Sequence, residues 1–215
     1  MNRYVAEFFA SFVMIFLGTG SMVLADQSGG SFTHLDVSLS WGFAVGLGIF
    51  LFSKFSGAHM NPAVTISLFF LRAHPKRELL GYLALQISGG VAASLLLRLL
   101  APEHEFLGAS LPSGSAWESF YIEFLLTFAL MAVVLLSGWF KKGALFLVPA
   151  AIGGTVFLEA YFAGPITGAS MNPARSFAPA VVSGHTEHLW VYLIATTMGA
   201  LGASGLWLIW KRYKA

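Results

Sequence analysis

Apolar residues in this chain run in blocks rather than alternating with polar ones. Six blocks are long enough to cross a bilayer as helices, a crossing that takes ~20 residues. They are roughly Tyr4–Ala25, Val37–Phe55, Leu79–Ala101, Trp117–Trp139, Leu145–Ala163 and Leu189–Trp210. Hydrocarbon offers no partner to backbone N–H and C=O groups, so each block reads as a helix. Two shorter blocks, Asn61–Leu71 and Asn172–Val182, hold 11 residues each. A helix of that length is about 17 Å long, roughly half of a ~30 Å hydrocarbon core. The pattern therefore predicts an all-α membrane protein with six transmembrane helices and two re-entrant half-helices. One unit is expected over residues 1–215, with Tyr4–Ala25 a retained first span and not a cleaved leader.

The chain repeats itself. Gly57-Ala58-His59-Met60-Asn61-Pro62-Ala63 returns as Gly168-Ala169-Ser170-Met171-Asn172-Pro173-Ala174, 111 positions later (172 less 61). Glu7-Phe8 in the first block has a counterpart in Glu123-Phe124 of the fourth. Tyr82 with Gly89–Ser94 has one in Tyr192 with Gly199–Ser204. Residues of about 1–101 and 117–215 are thus two copies of one unit. Each copy has three spans, an odd number, so the second must be inverted in the membrane. Inverted repeats with broken helices place their site near the midplane.

Each Asn-Pro-Ala reads as a helix start. Proline suits the first turn, and asparagine is a good N-cap. Inversion points the two half-helix N-termini at each other, each carrying roughly +0.5 charge. Asn61 and Asn172 would add amide donors, giving a positive waist that repels cations. Carbonyls of Gly57, Ala58, His59, Gly168, Ala169 and Ser170 would supply acceptors along one wall of a path. Irregular backbone at this depth is tolerable only where it is buried or lines such a path.

Composition narrows the classes. Of 215 residues, 57% are apolar and 10% charged, against about 25% charged in soluble domains. There is no cysteine, which excludes disulfides and thiolate chemistry. No basic run is interleaved with aromatics, so nucleic acid is not an expected partner. No nucleophile–base pair, phosphate loop or metal-ligand spacing appears; neither an enzyme nor a metal or cofactor is expected. With six spans, ten of the twelve Lys and Arg residues fall on the side of the termini, Arg98 and Arg175 excepted. The positive-inside rule then puts both termini in the cytoplasm. The short polar tails fit a bacterial inner membrane.

Both Asn-Pro-Ala boxes, Arg175 directly after the second, and the paired Glu7 and Glu123 make the whole chain resemble the aquaporin superfamily, or major intrinsic proteins. The stretch Phe162–Ser176 looks most like the nodulin-like intrinsic proteins of plants and their bacterial relatives. The resemblance implies a passive channel, a homotetramer with one pore per subunit, and an outer constriction of four residues. Counting from the boxes, these are Trp41, Ala160, Ala169 and Arg175. Strict water channels usually have Phe and His in the first two places. Trp and two alanines leave a wider gap, suited to glycerol and other polyols, urea and neutral metalloid acids, with water alongside. Ser176 replaces the Asp usual in glycerol facilitators, and Ala169 replaces an aromatic, which counts against glycerol as the preferred solute. The competing readings are a water-selective channel of the same fold and an ion-coupled transporter.

Four further positions stay open on the sequence. Glu7 and Glu123 lie inside spans, where a carboxylate is costly and usually functional; they either brace the re-entrant backbone or relay protons. Glu159, about 100° around a helix from Ala160, would enter the constriction and pair with Arg175 if the register slipped by one. Trp41 is a pore wall or an interfacial anchor.

Overall fold

The computed structural model of the chain describes residues 1–138 and 145–214. Eight helices follow in order: α1 (Arg3–Gln27), α2 (His34–Ser56), α3 (Pro62–Phe70), α4 (Lys76–Leu100), α5 (Ala116–Ser137), α6 (Leu147–Thr167), α7 (Pro173–Ser183) and α8 (Leu189–Lys214). Six of them are long and apolar enough to cross a membrane. The other two, α3 and α7, have only 9 and 11 residues. Trp139, Lys141 and Lys142, expected at and after the end of the fourth span, lie outside the described residues.

Of the helix ends that depart from the hydropathy blocks, three have a clear local reason. α2 starts at His34 instead of Val37. Asp36 accepts the backbone N–H of Thr33 at 2.8 Å and its hydroxyl at 2.6 Å, so this acid belongs to the first turn rather than to a loop. α6 runs past Ala163 to Thr167 with Pro165 inside it. Proline lacks the N–H that would bond four residues back; the Tyr161 carbonyl left over is bonded by the His34 imidazole at 2.8 Å. α8 runs past Trp210 to Lys214, where Lys211 and Lys214 lie over the rings of Trp207 and Trp210 one turn earlier.

Lipid is as apolar as a leucine side chain, so close packing and hydrogen bonds must hold the helices together. α1 lies on α4, α5 on α8, and α2 on α6. The first two pairs use one device. A Cβ on Gly89 would sit 2.3 Å from the carbonyl oxygen of Phe8, and one on Gly199 2.2 Å from that of Phe124. Only glycine permits that approach. The half-helices are braced across the molecule, α3 against α8 and α7 against α4. The Ser67 hydroxyl of α3 reaches the Ala200 carbonyl and the Ser204 hydroxyl, both at 2.7 Å.

Candidate functional site

The two Asn-Pro-Ala boxes meet at the centre of the bundle. Asn61 and Asn172 are the N-caps of α3 and α7, each accepting the N–H of the alanine two residues on, at 2.9 and 3.0 Å. Pro62 and Pro173 occupy the first helical position, and Ala63 and Ala174 are fully buried. The amide of Asn61 donates to the carbonyl of Met171, and that of Asn172 to the carbonyl of Met60, both at 2.8 Å. Each box is therefore locked to the other by a reciprocal bond, and each amide keeps a second N–H free to face the path.

The segments leading into the boxes are strained in the same way. Ala58, Met60, Ala169 and Met171 all have positive φ, a conformation that costs an L-residue about 1–2 kcal/mol. Buried carboxylates hold them there. Glu7 accepts the N–H groups of His59 and Met60 at 2.9 and 2.8 Å, the Ser56 hydroxyl at 2.6 Å and the Gln86 amide at 2.7 Å. Glu123 accepts the N–H groups of Ser170 and Met171 at 2.8 and 2.9 Å and the Thr167 hydroxyl at 2.8 Å. Tyr82 and Tyr192 complete the brace by donating to the carbonyls of Ser56 and Thr167, both at 2.8 Å. Because side chains satisfy these N–H groups, the carbonyls of Gly57, Ala58, His59, Gly168, Ala169 and Ser170 accept no hydrogen bond among the described residues.

A cavity of about 510 Å³ runs alongside. From Ser53, Ser137 and Pro149 at one end it passes Gly57, Ala58, His59, Asn61, Asn172, Ala169 and Ser170. It ends against Trp41, Val156 and Arg175. The Arg175 guanidinium sits 4.5 Å from the centre of the Trp41 ring. It donates to the Gly108 carbonyl at 2.7 Å and to the Met22 thioether at 3.2 Å, and its Nε has no partner. Trp41 reaches this place because Gly18 has no side chain; a Cβ there would lie 2.4 Å from the indole ring.

Two expectations are corrected, and the open position Glu159 is found away from the path. Ala160 shares a buried cluster with Trp41 and Ala169 but does not line the cavity; Val156, one turn earlier on α6, does. Gly168 is also off the cavity wall, because its backbone backs onto Ser110. Glu159 neither lines the cavity nor pairs with Arg175, and one of its carboxylate oxygens has no partner. The register did not slip, so the helical turn between residues 159 and 160 carries the acid away from the path.

Several contributors were not singled out from the sequence. Met60 and Met171 supply the carbonyls that lock the boxes, and their recurrence in both heptapeptides was the available signal. Ser56, Thr167 and Gln86 share the carboxylates. Met22 and Gly108 hold Arg175, and no motif marks either. His59 lines the cavity, and its ring bonds the Thr65 hydroxyl at 3.1 Å. Next to it, Nε2 of the buried His74 has no partner, and burial pushes this imidazole below its ordinary range.

Two half-helices that cap one another inside a six-helix bundle, beside a cavity lined by free carbonyls, define a membrane channel. The chain belongs to the major intrinsic protein family, whose sequence profile matches residues 1–207. It is a channel for water and small neutral solutes. It is similar to aquaporin NIP1-1 of Oryza sativa, with 36% identity over 96% of this chain and 72% of that one. It is also similar to nodulin-26 of Glycine max, with 34% identity over 97% and 76%. Among solved structures it resembles the aquaglyceroporin from Plasmodium falciparum, with a TM-score of 0.86 and 25% identity over 95% of this chain and 94% of that one. The relatives named are plant proteins, and they give no support to a bacterial inner membrane.

Proposed function

We propose that this is a facilitative channel with a wide outer constriction, passing polyols such as glycerol, urea and neutral metalloid acids together with water. The observation that carries the reading is the end of the cavity. Trp41 offers a flat apolar face, Arg175 a guanidinium beside it, and Val156 and Ala169 complete the sides. A solute with a short carbon face and hydroxyl groups fits both halves of that surface. Ala169, on the cavity wall, has no bulk to fill the space. Gly57, Ala58, His59, Ala169 and Ser170 form the acceptor wall. Glu7 and Glu123 are scaffold acids, engaged by donors that fix the re-entrant loops, and not proton relays.

Cations are excluded by electrostatics. Two helix N-termini of +0.5 charge, each ~4 Å from a cation at an effective dielectric near 20, oppose it by roughly 4 kcal/mol. A neutral solute meets no such barrier, and Arg175 adds to it for cations. The same reading makes residues 1–215 one channel unit of two inverted halves, about 1–101 and 117–215. It works as a homotetramer in a plasma membrane with both termini in the cytoplasm, and it is not an enzyme.

The test is stopped-flow light scattering on proteoliposomes with water, glycerol, urea and boric acid. Rapid solute entry with a low activation energy is expected. Fast water with the three solutes excluded would overturn the wide constriction and leave a water-selective channel.

A further inference from the structure

The outer loop between α4 and α5 reaches Arg175 through the carbonyl oxygen of Gly108, which accepts from the guanidinium at 2.7 Å. That carbonyl belongs to an unusual turn. Leu107 and Gly108 both have positive φ, 51° and 73°. Gly108 is tight as well, since a Cβ there would meet Thr19 at 2.9 Å. Leu107 is fully buried, yet its backbone sits in a region that L-residues avoid.

The turn is closed by its own backbone bond, from the Ala109 N–H to the Phe106 carbonyl at 2.9 Å, and one further side chain bonds it from outside. The N–H of Leu107 donates to Nδ1 of His104 at 3.1 Å, and Nε2 of the same ring lies 3.1 Å from a carboxylate oxygen of Asp26 at the end of α1. Together these contacts define the tautomer. Nδ1 must be bare to accept, so the proton is on Nε2 and points at Asp26. The imidazole therefore acts only in its neutral form. A second proton can go nowhere but Nδ1, where it would face the Leu107 N–H, donor against donor.

We propose that His104 is a positioning residue for the constriction, holding Arg175 in place through the Leu107–Gly108 turn, and that its protonation from the outer side releases that hold. Histidine is the side chain that changes charge in the mildly acidic range. The groups facing the ring come from every neighbouring element. Asp26 on α1 favours the added charge. Arg98 on α4 opposes it, because its guanidinium donates to the His104 carbonyl at 2.7 Å. Glu105 in the loop is itself 3.7 Å from His185, after α7. Once the turn relaxes, Arg175 loses its one oxygen acceptor and the guanidinium leans into the water-filled path. The gap narrows for larger solutes before it narrows for water. Acid outside thus lowers the glycerol-to-water permeability ratio. This rests on the reading of Trp41 and Arg175 as the constriction.

The experiment measures that ratio in proteoliposomes of the full chain from about pH 7.5 to about pH 5, a range that spans histidine titration. In the unaltered channel the ratio should fall by roughly two- to tenfold, the worth of one net hydrogen bond. His104→Phe, which cannot accept from Leu107, should show the low ratio throughout. His104→Asn, whose Oδ1 stands where Nδ1 stood and cannot take the proton, should restore the high ratio and keep it in acid. A conducting channel whose ratio is flat with pH, or a His104→Asn channel that still responds to acid, overturns the proposal. Trp41→Ala separates the two ideas: an unchanged neutral ratio in that variant would refute the constriction reading itself, and the proposal with it.

Discussion

The brace on the second re-entrant loop can be tested by one atom. Glu123→Gln keeps the shape of the side chain and turns one acceptor oxygen into an NH₂ group. The remaining oxygen can keep the Thr167 hydroxyl and the Ser170 N–H. The NH₂ group then faces the Met171 N–H, now 2.9 Å from a carboxylate oxygen. A buried donor left unpaired costs about 1–3 kcal/mol. The two retained bonds lose their charge assistance, about half their strength, adding roughly 1 kcal/mol. The sum is roughly 2–4 kcal/mol, and in a chain of this length it lowers the unfolding midpoint by roughly 5–15 °C. Glu7→Gln provides the internal comparison. There Gln86 can turn over and present its Oε1, which has no partner in the unaltered protein, to the new amide. The Met60 N–H, 2.8 Å from the Glu7 oxygen that Gln86 bonds, still ends up facing an NH₂ group, so that variant should lose a similar roughly 2–4 kcal/mol. The assay is thermal unfolding in mild detergent followed by tryptophan fluorescence, with water flux of the same preparations. A midpoint indistinguishable from the unaltered protein in either variant would refute the brace.

Three other outcomes are expected. Gly199→Ala should lower stability by about 1–3 kcal/mol through overpacking, because its Cβ would meet the Phe124 carbonyl oxygen at 2.2 Å; a midpoint as high as the unaltered protein's would show that α5 and α8 can separate freely. Burial depresses the titration of His74, so the folded protein prefers the neutral ring; stability is full above the ordinary imidazole range and is lost as pH falls through it. His74→Phe should make the unfolding midpoint less sensitive to acid, and an unchanged acid sensitivity would count against that origin. With no cysteine in the chain, water flux should persist at mercurial concentrations that block thiol-bearing pores, and a block would contradict this.

Much of the helical plan was legible in local chemistry. Block length separated spans from half-spans, and Asn61-Pro62 and Asn172-Pro173 marked helix starts because a cap and a first-turn proline act within a few residues. The ends of α6 and α8 were less legible. Pro165 reads as a stop, yet the carbonyl it orphans is bonded by His34, 127 positions away. Hydropathy also ends α8 too early, because it does not count lysines folded back over tryptophan rings.

What the sequence determined by itself is what short-range physics and internal repetition can carry: the number of helices, the paired boxes, the buried acids beside them and the odd number of spans per copy. The tertiary structure alone decided which side chains meet. Spacing from the boxes brought Trp41 and Arg175 to the end of the cavity, but it also nominated Ala160, and the rotation of α6 turned Val156 to that wall instead. No spacing rule could have joined Arg175 to Gly108 and Met22, or Gly108 to His104 and Asp26. Those contacts bridge 67 and 153 positions from Arg175 and 78 from His104 to Asp26. They depend on how an irregular outer loop lies over the helix ends, and a pattern of apolar positions carries no record of that.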